Sequence, residues 1–299
     1  MTFPALMTAM ATPFDGDGRL DLPAAQALAA HLVDHGSGGL VVAGTTGESP
    51  TLSGDEALDL FRAVAEAVGD RAAVVAGTGS YDTASTITRT QHAAKVGVDG
   101  IMLVTPYYNR PNQRGLDRHF RAVAAAVDLP VMLYNIPART ACEIAPETLL
   151  GLAEDVESIC AVKDAVGDMA KASWLAARAP ADFQILSGDD KNCLPLLAVG
   201  GAGLVSVAAH LVGDDLARMI EVFPTDPAEA RAIHWRLGEI FAVLFAEPSP
   251  APLKAALAML DLPGGALRLP MVDVADDTAA AVRRALVGVG LLTDEEVTA

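Results

Sequence analysis

A (βα)8 barrel of the TIM type, α/β in class, followed by a C-terminal all-helical appendage is the fold this sequence predicts, and three observations predict it. Apolar runs of strand length recur eight times before Pro224. Segments of helical period, with start and stop signals, lie between them. The runs are mostly continuous rather than alternating, as in parallel strands covered on both faces. Eight such units close into a barrel. A doubly wound open sheet is the competing arrangement of the same units.

The predicted strands are Leu6–Ala11, Leu40–Ala43, Ala73–Ala76, Ile101–Val104, Val131–Tyr134, Ile159–Val162, Ile185–Leu186 and Leu204–Ala208. Asp21 before Leu22-Pro23 reads as a cap followed by an early helical proline, and Gly36 stops that segment. Ser53 with Glu56 makes a capping box, the apolar face Leu58, Leu60, Phe61, Val64 and Val68 follows, and Gly69 closes the helix. The last unit is tight, since about ten residues separate Asp190 from Gly200. After Pro224 the strand runs cease. Asp226-Pro227-Ala228-Glu229 opens a helical stretch to Ala246, and Pro252–Leu260 and Asp277–Val289 continue at helical period. The expected domains are a catalytic barrel over 1–224 and a helical domain over 225–299.

Composition bounds the function. Of 299 residues, 52% are hydrophobic, enough for a large core without staples. The formal net charge of −17 argues against a nucleic-acid binder, which needs a basic stripe, and against adhesion to anionic membranes. No run of ~18 apolar residues suggests a membrane span. Cys142, Cys160 and Cys193 form no CxxC pair, which suits a reduced, cytoplasmic protein without a structural zinc site. The start Met1-Thr2-Phe3-Pro4 lacks a basic, signal-like region and reads as mature structure. Only five lysines are present, Lys95, Lys163, Lys171, Lys191 and Lys254, so each can be weighed alone.

In a (βα)8 barrel the chemistry sits at the C-terminal ends of the strands. Those ends carry Gly44-Thr45-Thr46-Gly47-Glu48-Ser49, Thr105-Pro106-Tyr107-Tyr108, Tyr134-Asn135-Ile136-Pro137-Ala138-Arg139-Thr140, Val162-Lys163-Asp164-Ala165 and Ser187-Gly188-Asp189-Asp190. A lysine inside an apolar strand is costly to bury while charged. Burial lowers its pKa and frees the amine as a nucleophile, as Schiff-base chemistry requires. The competing reading of Lys163 is an exit from the strand end and a pair with Asp164. Thr45 and Thr46 offer hydroxyls and N–H groups to a keto-acid carboxylate, or simply satisfy a turn. Tyr108 and Tyr134 are candidates for a proton relay to a carbinolamine, or are ordinary half-buried tyrosines. Arg139 is placed to clamp a second carboxylate, or to form a surface ion pair. Asp189 and Asp190 are expected to cap the next helix. His31 and His35 stand at a metal spacing without a helper and read as a surface pair, and no nucleotide-binding glycine motif occurs.

These motifs, in this order, resemble the dihydrodipicolinate synthase/N-acetylneuraminate lyase family of class I aldolases, and Glu247-Pro248-Ser249-Pro250 in the tail agrees. The resemblance runs nearly the whole length. Arg139 in Ile136-Pro137-Ala138-Arg139-Thr140 points to the synthase branch, where that arginine binds the carboxylate of L-aspartate 4-semialdehyde. What the resemblance implies is an imine between Lys163 and pyruvate, a relay of Thr45, Tyr134 and Tyr108 with Tyr108 from a neighbouring subunit, and Thr46 on the pyruvate carboxylate. It also implies backbone around Val205 lining the same pocket, a homotetramer built as a dimer of dimers, and neither metal nor organic cofactor. Two alternatives remain open: a sister aldolase taking a sugar-derived aldehyde, and a non-catalytic keto-acid-binding paralogue. Positions where lysine-inhibited members carry polar ligands are matched here by Gly54, Ala57, Tyr81 and Ser85, with Ser49 and Tyr107 kept, so weak or absent feedback by lysine is expected.

Overall fold

The computed structural model describes residues 2–293. Met1 and residues 294–299, the outer limits of the two expected domains, lie outside them. Eight strands pair in chain order and close on themselves: β1 (Leu6–Ala9), β2 (Gly39–Val42), β3 (Ala73–Gly77), β4 (Gly100–Val104), β5 (Val131–Asn135), β6 (Ile159–Asp164), β7 (Gln184–Ser187) and β8 (Gly203–Ser206). Every pairing is parallel. Each strand falls on a predicted apolar run, with ends shifted by one or two residues. The open sheet is excluded by the β8–β1 pairing, in which Leu6 sits opposite Leu204 and Met7 opposite Val205. That closure needs Gly203, because a Cβ there would stand 2.0 Å from the Ala5 carbonyl oxygen.

Strand alternation divides the apolar residues into two cores. Inside the barrel pack Met7, Val41, Val75, Met102, Met132, Tyr134, Ala161, Leu186 and Val205. Outside it, Leu40, Val42, Ile101, Leu103, Leu133, Val162 and Leu204 meet the surrounding helices. Burial on both faces is why the strands read as unbroken apolar runs. The helix Leu22–Asp34 is capped by Asp21, which accepts from Ala24 N. The helix Gly54–Val68 carries the complete Ser53/Glu56 capping box and ends at Gly69.

After the last barrel helix, Ala209–Val222, come Pro227–Arg236, Gly238–Val243, Ala251–Met259 and Asp276–Gly288. The single helix expected to reach Ala246 is two, joined at Leu237 with ψ near 0 (−3°), immediately before Gly238, the weakest helix former short of proline. No helix among the described residues is long and apolar enough to cross a membrane.

Candidate active site

The register of β5 on β6 places Tyr134 directly beside Lys163, and both alternate into the barrel. Lys163 is 4% exposed and its Nζ lies 4.4 Å from the centre of the Tyr134 ring. It does not exit to Asp164. That carboxylate is on the opposite face of the strand, accepting from Val166 N at 2.9 Å. Burial lowers the Lys163 pKa to about 8; nearby Asp190 opposes the shift and Arg139 reinforces it. Roughly a tenth of such an amine is neutral at pH 7, far more than in an ordinary lysine. Gly188 follows β7 and lies against this side chain, for a Cβ there would meet Lys163 Cγ at 3.1 Å and Ala165 Cβ at 2.9 Å.

Tyr134 is buried, which pushes its phenol up to about 12, and the nearby Thr45 hydroxyl opposes that shift. Thr45 sits on the turn after β2. Glu48, in the left-handed region at φ +51°, ends that turn, whose N–H groups at Glu48 and Ser49 bond back to the carbonyls of Thr45 and Gly44. Thr46 is buried beside Thr45.

Arg139 stands on the single helical turn Pro137–Thr140 after β5. Asn135 fixes the return of this loop by two 3.0 Å bonds to Ile144, one to its carbonyl and one from its N–H. Thr140 Oγ1 lies within hydrogen-bond distance of the Ile136 and Cys142 carbonyls, 3.0 and 2.8 Å away. Arg139 is exposed and makes no ion pair with another described residue. A cavity of about 630 Å³ joins Thr45, Tyr134 and Arg139 with Tyr81 and Tyr107. Lys163 is not among its lining residues; it lies within the barrel beside Tyr134. Val205 is fully buried in β8 as part of the inner core.

Tyr108 is not brought to this cluster by its own chain. It is 91% exposed at φ +66°, while its neighbour Tyr107 turns inward and packs edge-on against Tyr81 at 5.4 Å.

Asp190 corrects a sequence expectation. It does not cap the helix that follows. Its buried carboxylate turns back to the end of β8, where it accepts from Ser206 Oγ and from the N–H groups of Val207 and Ala208. Three converging donors outweigh a cap, and the doubled Asp in sequence gives no sign of them. His35 pairs with Asp214 at 2.8 Å, and no group of three or more His, Cys, Asp or Glu that could hold a metal occurs among the described residues.

Sequence reasoning also missed Glu48, Lys254 and Arg268. Glu48 Oε1 is 2.7 Å from Lys254 Nζ, and both side chains are almost wholly buried. Arg268 donates its backbone N–H to Glu48 Oε2. These partners are more than 200 positions away in the chain. The only local signal is a charged residue inside an otherwise polar-neutral loop.

Fold and site together define a (βα)8 barrel with a desolvated lysine and a tyrosine–threonine hydroxyl pair at the C-terminal strand ends. The sequence profile of the dihydrodipicolinate synthetase family matches residues 2–288, and the chain belongs to that family. It is 52% identical over 293 residues to 4-hydroxy-tetrahydrodipicolinate synthase of Moorella thermoacetica, covering 98% of this chain and 100% of that one. The enzyme of the same name from Bacillus subtilis is 47% identical, covering 93% of this chain and 96% of that one. Among solved structures, dihydrodipicolinate synthase from Cyanidioschyzon merolae with lysine bound superposes with a TM-score of 0.96 at 45% identity, covering 97% of this chain and 99% of that one. The Acinetobacter baumannii enzyme complexed with pyruvate gives 0.94 at 32% identity, covering 97% and 100%.

Proposed function

We propose that this chain is a 4-hydroxy-tetrahydrodipicolinate synthase that condenses pyruvate with L-aspartate 4-semialdehyde through a Schiff base on Lys163, in the biosynthesis of diaminopimelate and lysine. The observation that carries the reading is the buried Lys163 amine against Tyr134, which lines one cavity with Thr45. The neutral amine attacks the pyruvate keto carbon, and the carbinolamine loses water to give an imine. Each step moves a proton, and Tyr134 and Thr45 are the hydroxyls within reach. Tyr134 stays protonated near neutrality and so serves as a donor. Thr46 and the N–H groups of its turn hold the pyruvate carboxylate, with the backbone at Val205 closing the pocket. Tautomerisation yields an enamine whose carbon attacks the aldehyde. Arg139, without an ion pair among the described residues, binds the carboxylate of that second substrate. The substrate's own amine then displaces Lys163, closes the ring and frees the enzyme.

Tyr108 completes the relay from a neighbouring subunit in a homotetramer assembled as a dimer of dimers. Its exposure supports that placement, since a tyrosine so exposed does nothing for its own barrel. Every step is acid–base or carbonyl chemistry within these side chains, so the reading calls for no cofactor. The protein acts in the cytoplasm, with 1–224 as the catalytic barrel and 225–299 as a helical domain.

The test is turnover of pyruvate and aspartate semialdehyde, followed through the next reductase, with Lys163→Ala and a panel of other aldehydes alongside. The proposal expects Lys163-dependent turnover that prefers aspartate semialdehyde. Lys163-dependent reaction with a sugar aldehyde, and none with aspartate semialdehyde, would overturn it.

A further inference from the structure

The turn that presents Thr45 and Thr46 is anchored by a charge cluster that crosses from the barrel to the helical tail. Glu48, three residues after Thr45, points its carboxylate inward, away from the cavity. Lys254, from the tail helix Ala251–Met259, meets it at 2.7 Å and also donates to the carbonyls of Thr12 (2.8 Å) and Ala266 (2.6 Å). Thr12 in turn donates its hydroxyl to the Gly47 carbonyl at 2.7 Å. Arg268 adds its backbone N–H to Glu48, its Nε to the Gly18 carbonyl and its Nη1 to the Thr51 carbonyl, while its guanidinium also bonds Glu56. The ring of Phe14 contacts both cations, its centre 4.7 Å from Lys254 Nζ and 4.1 Å from the Arg268 guanidinium carbon. The bonds of the cluster end on the turn, on backbone of the barrel and tail, and on Glu56 of the following helix. None reaches the cavity.

An ion pair this deeply buried is a poor device for stability, since apolar replacement of both partners is often neutral or better. Its bonds do have one consequence for position. Both the carboxylate and the Gly47 carbonyl are tied to a single ammonium group, directly or through Thr12, and the turn between them cannot shift without breaking these bonds. We infer that Lys254 is a positioning residue for the reaction: through Glu48 and Thr12 it fixes the turn that aims the Thr45 and Thr46 hydroxyls at Tyr134 and at the keto-acid carboxylate. The helical tail is thus part of the pyruvate site, without touching substrate. This rests on the proposed Schiff-base chemistry.

The experiment traps the imine with borohydride, using pyruvate alone, in wild type, Lys254→Met, Lys254→Arg, and the double variant Lys254→Met/Glu48→Met. Folding is checked by circular dichroism and thermal melting. Wild type must trap pyruvate; if it does not, the functional reading fails before this inference is reached. Given trapping, Lys254→Met is expected to slow it at least tenfold at low pyruvate and to raise the pyruvate KM, with Lys254→Arg recovering part of the rate. The double variant removes the lone buried charge, so it is expected to regain melting temperature without regaining trapping rate. A purely structural pair would predict the reverse. If the double variant melts like wild type and traps at the wild-type rate, or if folded Lys254→Met does so, the inference is wrong.

Discussion

Among single residues, Lys163 is an expensive one to bury. Its pKa is about 8 in the fold against the ordinary value of 10.5. Below pH 8 the lysine is charged in both folded and unfolded chains, and the fold carries the full penalty, of order 3 kcal/mol. Between 8 and 10.5 the unfolded chain binds more protons, so stability rises with pH, and above 10.5 the penalty is gone. Lys163→Met is therefore expected to melt higher than wild type at pH 7, with the gap closing as pH rises through that window; a lower melting point at pH 7 would refute the desolvation argument. The same shift predicts that imine formation quickens with pH and levels off near 8, which rate measurements across pH 6–9 check. Tyr134→Phe keeps the ring and removes the relay hydroxyl. Turnover is expected to fall by about 10²–10⁴-fold with little loss of stability, read from kcat and thermal melting.

At the scale of the element, strand ends convert sequence neighbours into a site. Lys163 and Tyr134 were legible because each sits in an apolar strand where a polar side chain has no structural reason to be. Parallel register then puts them side by side. Asn135 shows the next layer. It faces away from Tyr134 and ties Ile144, and so holds the turn that carries Arg139. Asn135→Ala is expected to raise the KM for the semialdehyde severalfold while pyruvate trapping stays near wild type, because only the Arg139 loop loosens. Steady-state kinetics in each substrate distinguish this from general damage. The helix signals were equally local: Asp21, the Ser53/Glu56 box and Gly69 all act within four residues. Asp190 was misread for the opposite reason. Its partners, Ser206, Val207 and Ala208, are brought near only by the β7–β8 pairing, and nothing in Ser187-Gly188-Asp189-Asp190 anticipates them.

At the scale of the whole molecule, the barrel was visible as eight runs in order, since closure adds no new residues to the pattern. What joins the tail to the site was not visible, because Glu48 and Lys254 are far apart in the chain and neither belongs to a motif. Lys254→Met leaves Glu48 buried without its counter-ion and is expected to cost about 3–5 kcal/mol, measured by denaturant unfolding. Tyr108 belongs to this scale too. A site completed across subunits predicts that inactive Tyr108→Phe and Lys163→Ala chains, co-assembled, recover activity that neither has alone. Borohydride reduction with pyruvate followed by peptide mapping tests directly whether Lys163 is the nucleophile. The chain has only five lysines, so the answer is unambiguous. One pyruvate-derived adduct is expected, on Lys163. An adduct on Lys95, Lys171, Lys191 or Lys254 instead, or no adduct from active protein, would contradict it.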